Sequence, residues 1–182
     1  MALKRLFLGS FIEPALIPAL YARIRADFKA AVSGKWVDEK NLHITHKFLG
    51  DVEESEIGRI KEALSASLDR PASCEMYFSQ PSSFNLKKPR VLFISAEDKT
   101  RAIFEMNSFC ERSLVKIGFA AEDKPFHPHI TIMRMKSVNT EAFAALINKY
   151  KDEIEKAGPQ REIRLSLIES VLTPSGPIYK II

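Results

Sequence analysis

Residues 41–50 read NLHITHKFLG, and residues 126–134 read FHPHITIMR. Between them they hold all four histidines of a 182-residue chain. Both contain His-Ile-Thr, starting at His43 and again at His129. Each stretch has the apolar and β-branched content of a strand. Side chains on a strand alternate between faces. His43, Thr45 and Lys47 then share one face, and Leu42, Ile44, His46 and Phe48 the other. In the second copy His127, His129, Thr131 and Met133 share a face, opposed by Ile130 and Ile132. Each strand is expected to bury an apolar face and to present a His/Thr pair on the other.

The pattern on either side of these phrases is also repeated. Strands are expected at 3–12, 41–49, 73–80, 90–96, 127–133, 162–172 and 178–182. Helical patterns fall at 17–32, 53–69, 100–118 and 139–158. Two prolines suit the first helix start, acids occupy the first turn of the second, and glycines follow the last two. First strands begin near 4 and 90, the tripeptides at 43 and 129, and the helices after them near 53 and 139. This spacing predicts an internally duplicated α+β unit, with QPSSFNLKKPR (80–90) as divider. One domain, 1–182, is expected, with internal lobes of about 1–80 and 90–182. Two such units about a pseudo-two-fold axis would bring both His-Ile-Thr phrases to one groove.

Composition excludes little beyond disorder and fibres: 46% of residues are hydrophobic and 27% charged. Lys and Arg number 27 against 23 Asp and Glu, which tolerates an anionic partner such as RNA without demanding one. Cys74 and Cys110 are too far apart for a zinc knuckle and too few for a disulfide framework, which fits a reducing compartment. The opening MALKRLFLGSFIEPALIPALYA mimics a secretion signal, but Glu13 and Pro14 interrupt its apolar run, so a buried first strand is expected. No stretch approaches the roughly 20 apolar residues of a membrane helix.

Two imidazoles flanking one phosphorus can divide acid–base work. One, neutral, takes a proton from the attacking water or hydroxyl; the other, protonated, donates to the leaving oxygen. Threonine hydroxyls on the same face can bond the non-bridging oxygens. An activated substrate such as a strained cyclic phosphate needs neither metal nor other cofactor for this.

On these residues the chain resembles the 2H phosphoesterase superfamily, and within it the LigT-like RNA 2′,3′-cyclic phosphodiesterases, also called 2′-5′ RNA ligases. RLFLGSFI is similar to that family's opening strand. KWVDEKNLHITHKFLGDV and FHPHITIMR are similar to its two motif regions, and the likeness covers nearly the whole chain. The resemblance implies a bilobal α+β fold, two antiparallel sheets facing a central cleft with helices outside. It implies hydrolysis of RNA 2′,3′-cyclic ends to a 2′-phosphate, with 2′-5′ joining as the counterpart. It assigns His43 as acid for the 3′ oxygen, His129 as base for water, Thr45 and Thr131 as phosphate ligands, and Arg134 as a cationic contact. A cytoplasmic monomer acting on RNA ends or a small cyclic nucleotide is expected, with no membrane partner.

Several positions stay open. Arg134 lies five residues after His129, on the opposite face of an ideal strand, and reaches phosphate only if the strand bends. His46 departs from the family's aliphatic residue and is expected buried and neutral. His127 stands where the family often has Arg and could contact RNA or orient His129. Phe48 can stack on a base, although its parity favours core packing. Lys47, Lys87, Lys88 and Arg90 can steer RNA. A three-histidine metal site from His43, His127 and His129, a non-catalytic RNA-end binder, and other 2H substrates are the rival readings.

Overall fold

The first strand, β1 (Leu3–Phe11), pairs along its length with the strand that carries the first motif, β3 (His43–Glu53). The second motif opens β6 (His129–Val138). These strands meet at one antiparallel pair, Ile44 opposite Ile130. Both isoleucines are fully buried. They hold the same place in the two tripeptides, so the pair lies on the axis that relates the two halves. Outward from it the strands run β1, β8 (Ser166–Thr173), β9 (Gly176–Ile181) on one side. On the other they run β5 (Val91–Asp98), β4 (Pro71–Ser82), β7 (Ala157–Arg164), with β2 (Val32–Trp36) also paired to β6. Two antiparallel half-sheets are thus joined into a nine-stranded sheet. The coordinates are a computed structural model that describes residues 2–153, 156–174 and 176–182.

The halves of the sheet are not the halves of the sequence. Strand β4 pairs with β5 and β7, while β8 and β9 return to β1. The stretch expected as one strand at 162–172 is two. It breaks at Leu165, where the chain crosses from one half-sheet to the other.

Among the described residues, four α-helices pack on one face: α1 (Pro18–Phe28), α2 (Ile57–Leu64), α3 (Ala102–Val115) and α4 (Thr140–Glu153). Helix α3 buries Ile103, Met106, Cys110 and Leu114, an apolar stripe at helical spacing. Its first turn is held by Asp98, whose carboxylate accepts from the Ile103 and Thr100 amides. These side chains share one core with Leu6, Leu8, Ile44, Leu92, Ile94, Ile130 and Ile132. The expected helix at 17–32 stops at Phe28, because the chain turns and Val32 enters β2. There Gly34 has φ +148°, and a Cβ on it would stand 2.3 Å from the Arg134 carbonyl oxygen. The fourth helix was expected to 158; 154–155 lie outside the described residues, and by Ala157 the chain is strand. No helix is long and apolar enough to cross a membrane among the described residues.

Strict alternation fails in both motif strands, at the same place. Each has two consecutive buried residues, His46-Lys47 and Ile132-Met133, and an exposed one next. The registers show the cause. Strand β1 passes from Thr45 to Lys47 without pairing His46, and β5 passes from Thr131 to Met133 without pairing Ile132. These are bulges, and a bulge inverts the facing of everything after it. Each unpaired carbonyl finds a donor. Asn107 Nδ2 donates to the His46 oxygen at 2.8 Å, and the Val37 amide to the Ile132 oxygen at 2.9 Å.

Lys47 therefore belongs to the interior, neither solvated nor placed to steer RNA. It is 4% exposed, and its Nζ donates to both Glu111 carboxylate oxygens and to the Ala120 carbonyl. Removing one partner of a buried, fully bonded ion pair costs about 3–5 kcal/mol. Lys47→Ala should lower the unfolding free energy by about that amount in urea titration, with turnover per folded molecule unchanged. A Lys47→Ala protein of full stability with weakened RNA binding would contradict this placement.

Candidate active site

His43 and His129 lie half-buried on the sheet face away from the helices, as do Thr45 and Thr131. The antiparallel register at Ile44–Ile130 sets His43 across from Thr131 and Thr45 across from His129. Each imidazole is held alike. His43 Nδ1 donates to the Asn41 carbonyl at 2.7 Å, and His129 Nδ1 to the His127 carbonyl at 2.7 Å. A carbonyl only accepts, so Nδ1 carries the proton in both rings. Each Nε2 is left for chemistry: a base when the ring is neutral, an acid when it is protonated.

Aromatic rings pack around both histidines. His43 meets Phe7 at 4.9 Å and Tyr179 at 5.1 Å, centroid to centroid; His129 meets Phe84 at 4.9 Å and Phe93 at 5.0 Å. Phe7 and Phe93 are buried yet stand outside the main core, so they form the cleft floor. Burial is the main reason both imidazoles titrate below 6.5. The bonds to Asn41 and His127 oppose the shift. The charges of His129 and Arg134 push His43 further down, and His127 does the same to His129. His43 thus sits within the field of the second catalytic candidate.

The bulges correct two expectations. Arg134 is exposed on the histidine face, and its charge reaches both His43 and Tyr179. Phe48, at the matching position of the first strand, leaves the core: it is 63% exposed, 6.0 Å from the Phe7 ring. His127 is exposed and stacks on His129 at 6.3 Å. His46 points into the core, where its Nε2 meets Ser10 Oγ at 2.9 Å and its ring stacks on Phe126. Among the described residues, no group of three or more His, Cys, Asp or Glu is placed to hold a metal ion. Lys87, Lys88 and Arg90 are exposed in the β4–β5 loop.

A model of one family, the LigT-like phosphoesterases, matches twice in succession, over residues 12–93 and 94–179. The chain belongs to the LigT-like phosphoesterase family. It is 34% identical to the RNA 2′,3′-cyclic phosphodiesterase of Methanocaldococcus jannaschii over 98% of both chains. It is 39% identical to that of Archaeoglobus fulgidus over 83% of each. The crystal structure of Escherichia coli LigT complexed with 3′-AMP superposes with a TM-score of 0.74, covering 99% of this chain and 95% of that one. At 19% identity that likeness speaks to the fold of this LigT-like phosphoesterase.

Pattern reading missed Phe7, Gly9, Asn41, Phe84, Phe93 and Tyr179. Phe7 and Phe93 lie in the strands already read as counterparts, which was a usable signal. Tyr179 and Phe84 arrive from the β8–β9 hairpin and the β4–β5 loop, which carry no motif. Gly9 matters by what it lacks. A Cβ there would stand 3.1 Å from the Phe7 ring and 3.4 Å from His43 Cδ2.

Two outcomes are expected. Gly9→Val should displace the His43 ring and cut kcat at least about ten-fold, with the far-UV spectrum kept; unaltered kcat would show that the ring needs no vacancy there. Burial, with a smaller push from His43, also holds the His46 pKa down to about 3. The unfolded state takes its proton near 6.5, so the stability from neutral His46 is full above 6.5 and lost as pH falls toward about 3. Each pH unit in that window removes about 1.4 kcal/mol. His46→Leu should flatten the slope of unfolding free energy from pH 6 to 4.5 by nearly one proton; an unchanged slope would place the titration elsewhere.

Proposed function

We propose that this cleft hydrolyses the 2′,3′-cyclic phosphate at RNA ends to a 2′-phosphate, without a metal, using His129 as base and His43 as acid. The carrying observation is the pair of imidazoles whose Nδ1–H is committed to a carbonyl and whose Nε2 is not. A water oxygen attacks phosphorus while Nε2 of His129 accepts its proton. The P–O3′ bond breaks, and the departing oxygen takes the proton on Nε2 of His43. The product carries a 2′-phosphate and a 3′-hydroxyl, and solvent returns both rings to their starting state. A 5′-hydroxyl in place of water would join two RNAs through a 2′-5′ bond.

Thr45 and Thr131 bond the non-bridging oxygens, and Arg134 offsets their charge. Phe48 offers an exposed face for a base, which suits sequence-tolerant binding. One chain supplies both histidines, which supports a monomer. The thiols Cys74 and Cys110 are free, buried and pushed up to about 11 and about 12, which suits the cytoplasm. The names carried by the Methanocaldococcus and Archaeoglobus relatives support the RNA substrate.

Burial and Arg134 favour neutral His43 in the empty cleft, whereas its role needs a proton. A bound phosphate anion between them reverses that balance. The kcat/KM profile, which reports the free enzyme, should be bell-shaped with its maximum below pH 6.5, since both rings titrate below that value. The kcat maximum should lie at higher pH. A kcat that changes monotonically from pH 4 to 9 would defeat the two-histidine assignment. The direct test is a short RNA with a cyclic phosphate end, incubated with a strong chelator. We expect a 2′-phosphate, turnover lost in His43→Ala and His129→Ala, and RNA binding kept in both. Inhibition by the chelator, or a 3′-phosphate product, would overturn the proposal.

A further inference from the structure

The ladder between β8 and β1 stops at Glu169. Beyond it β8 pairs with β9, and this hairpin leans over the first motif strand. Its Tyr179 packs edge-on against both Phe7 and His43. The first residues of β9 touch down at two points. Asn41 Nδ2 donates to the Pro177 carbonyl at 3.3 Å. Gly176 lies so close to Lys35 that a Cβ there would be 2.7 Å from Nζ.

Asn41 therefore has two attachments. Its backbone carbonyl holds His43 Nδ1, and its side-chain amide holds the hairpin whose tyrosine covers the same ring. Its own backbone is fixed by a 3₁₀ turn, Glu39–Asn41, in which the Asp38 carbonyl accepts its amide and Asp38 Oδ1 that of Lys40. A bond to Nδ1 alone leaves an imidazole free to rock about that bond. An edge contact from Tyr179 removes the remaining freedom and keeps water from the ring.

The other half repeats the plan with different parts. His127, two residues before His129, lends its carbonyl to His129 Nδ1. Its ring meets Phe84, the residue that covers His129. One histidine is covered by a clasped hairpin, the other by a loop in aromatic contact. The recurrence at equivalent positions, built from unrelated segments, argues for a shared requirement.

We propose that Asn41 is a positioning residue for His43, setting its ring through the carbonyl and its aromatic cover through the side-chain amide. This rests on the reading of His43 as the acid of the phosphoesterase site. The test therefore includes a measurement on the free protein, which stands or falls without turnover.

Asn41→Ala removes the donor to Pro177 and leaves the carbonyl in place. Asn41→Leu does so while keeping bulk, and guards against collapse of the turn. The imidazole titrations of His43 and His129 would be followed by NMR in the full chain, beside kcat and KM for an RNA cyclic-phosphate end. With the hairpin released, His43 loses cover, so its titration should move up toward 6.5 while that of His129 stays. kcat should fall by about ten-fold with KM little changed, as expected for a misplaced acid. His43 unmoved in a folded variant, both histidines moving together, or failure of both variants to fold would each show that Asn41 supports the fold at large, and would overturn the proposal. Absence of turnover in the wild-type chain, with the His43 shift intact, would instead count against the phosphoesterase reading alone.

Discussion

An antiparallel pair formed by one residue and its own repeat can lie in only one place, on the two-fold axis. Ile44 and Ile130 form such a pair, with no exposed surface. Because the pair is antiparallel, the residues on either side are set crosswise, each histidine against the other copy's threonine. A slip of one residue between the two strands would turn one of the two His/Thr pairs into the core. Burial of the two isoleucines opposes that slip, since it would expose apolar surface and bury an imidazole. The register of the cleft thus depends on hydrophobic contact beneath it.

The duplicated phrase, its strand character and its convergence were legible because they depend on local pattern. His43, Thr45, His129 and Thr131 precede the bulges, and alternation placed them correctly. Phe48, Lys47 and Arg134 follow the bulges, and alternation placed all three on the wrong face. A bulge leaves no mark in composition; it shows in which residue a neighbouring strand fails to pair. Its supports here, Asn107 and the Val37 amide, lie far from the motif in sequence. The repeat also slips. Ile44 pairs with Ser10 but Ile130 with Ile94, so the spacing of the motif strands is not carried over unchanged to their neighbours. His46 was readable as buried because it lies just at the bulge, still on the core side.

The two halves share a scaffold and differ in their cleft side chains. At matching positions after the bulges stand an exposed aromatic ring, Phe48, and an exposed guanidinium, Arg134. A symmetric pair of histidines has no reason to divide acid from base. Arg134 acts on His43, whereas His129 feels chiefly His127, so the rings differ in their surroundings although they are held alike. Chemical asymmetry here comes from neighbours of the motif, since the motif residues are the same in both copies.

Strand β4 leaves the half of the sequence that contains it, and β8 and β9 make the opposite journey. A single copy of the repeat would therefore lack its own outer strands and hold half of a reaction centre. Two separate copies could satisfy each other only by exchanging arms, as an interlocked homodimer with two identical histidines. Joining the copies in one polypeptide frees each arm and each pocket to change alone, which a homodimer under one gene cannot do.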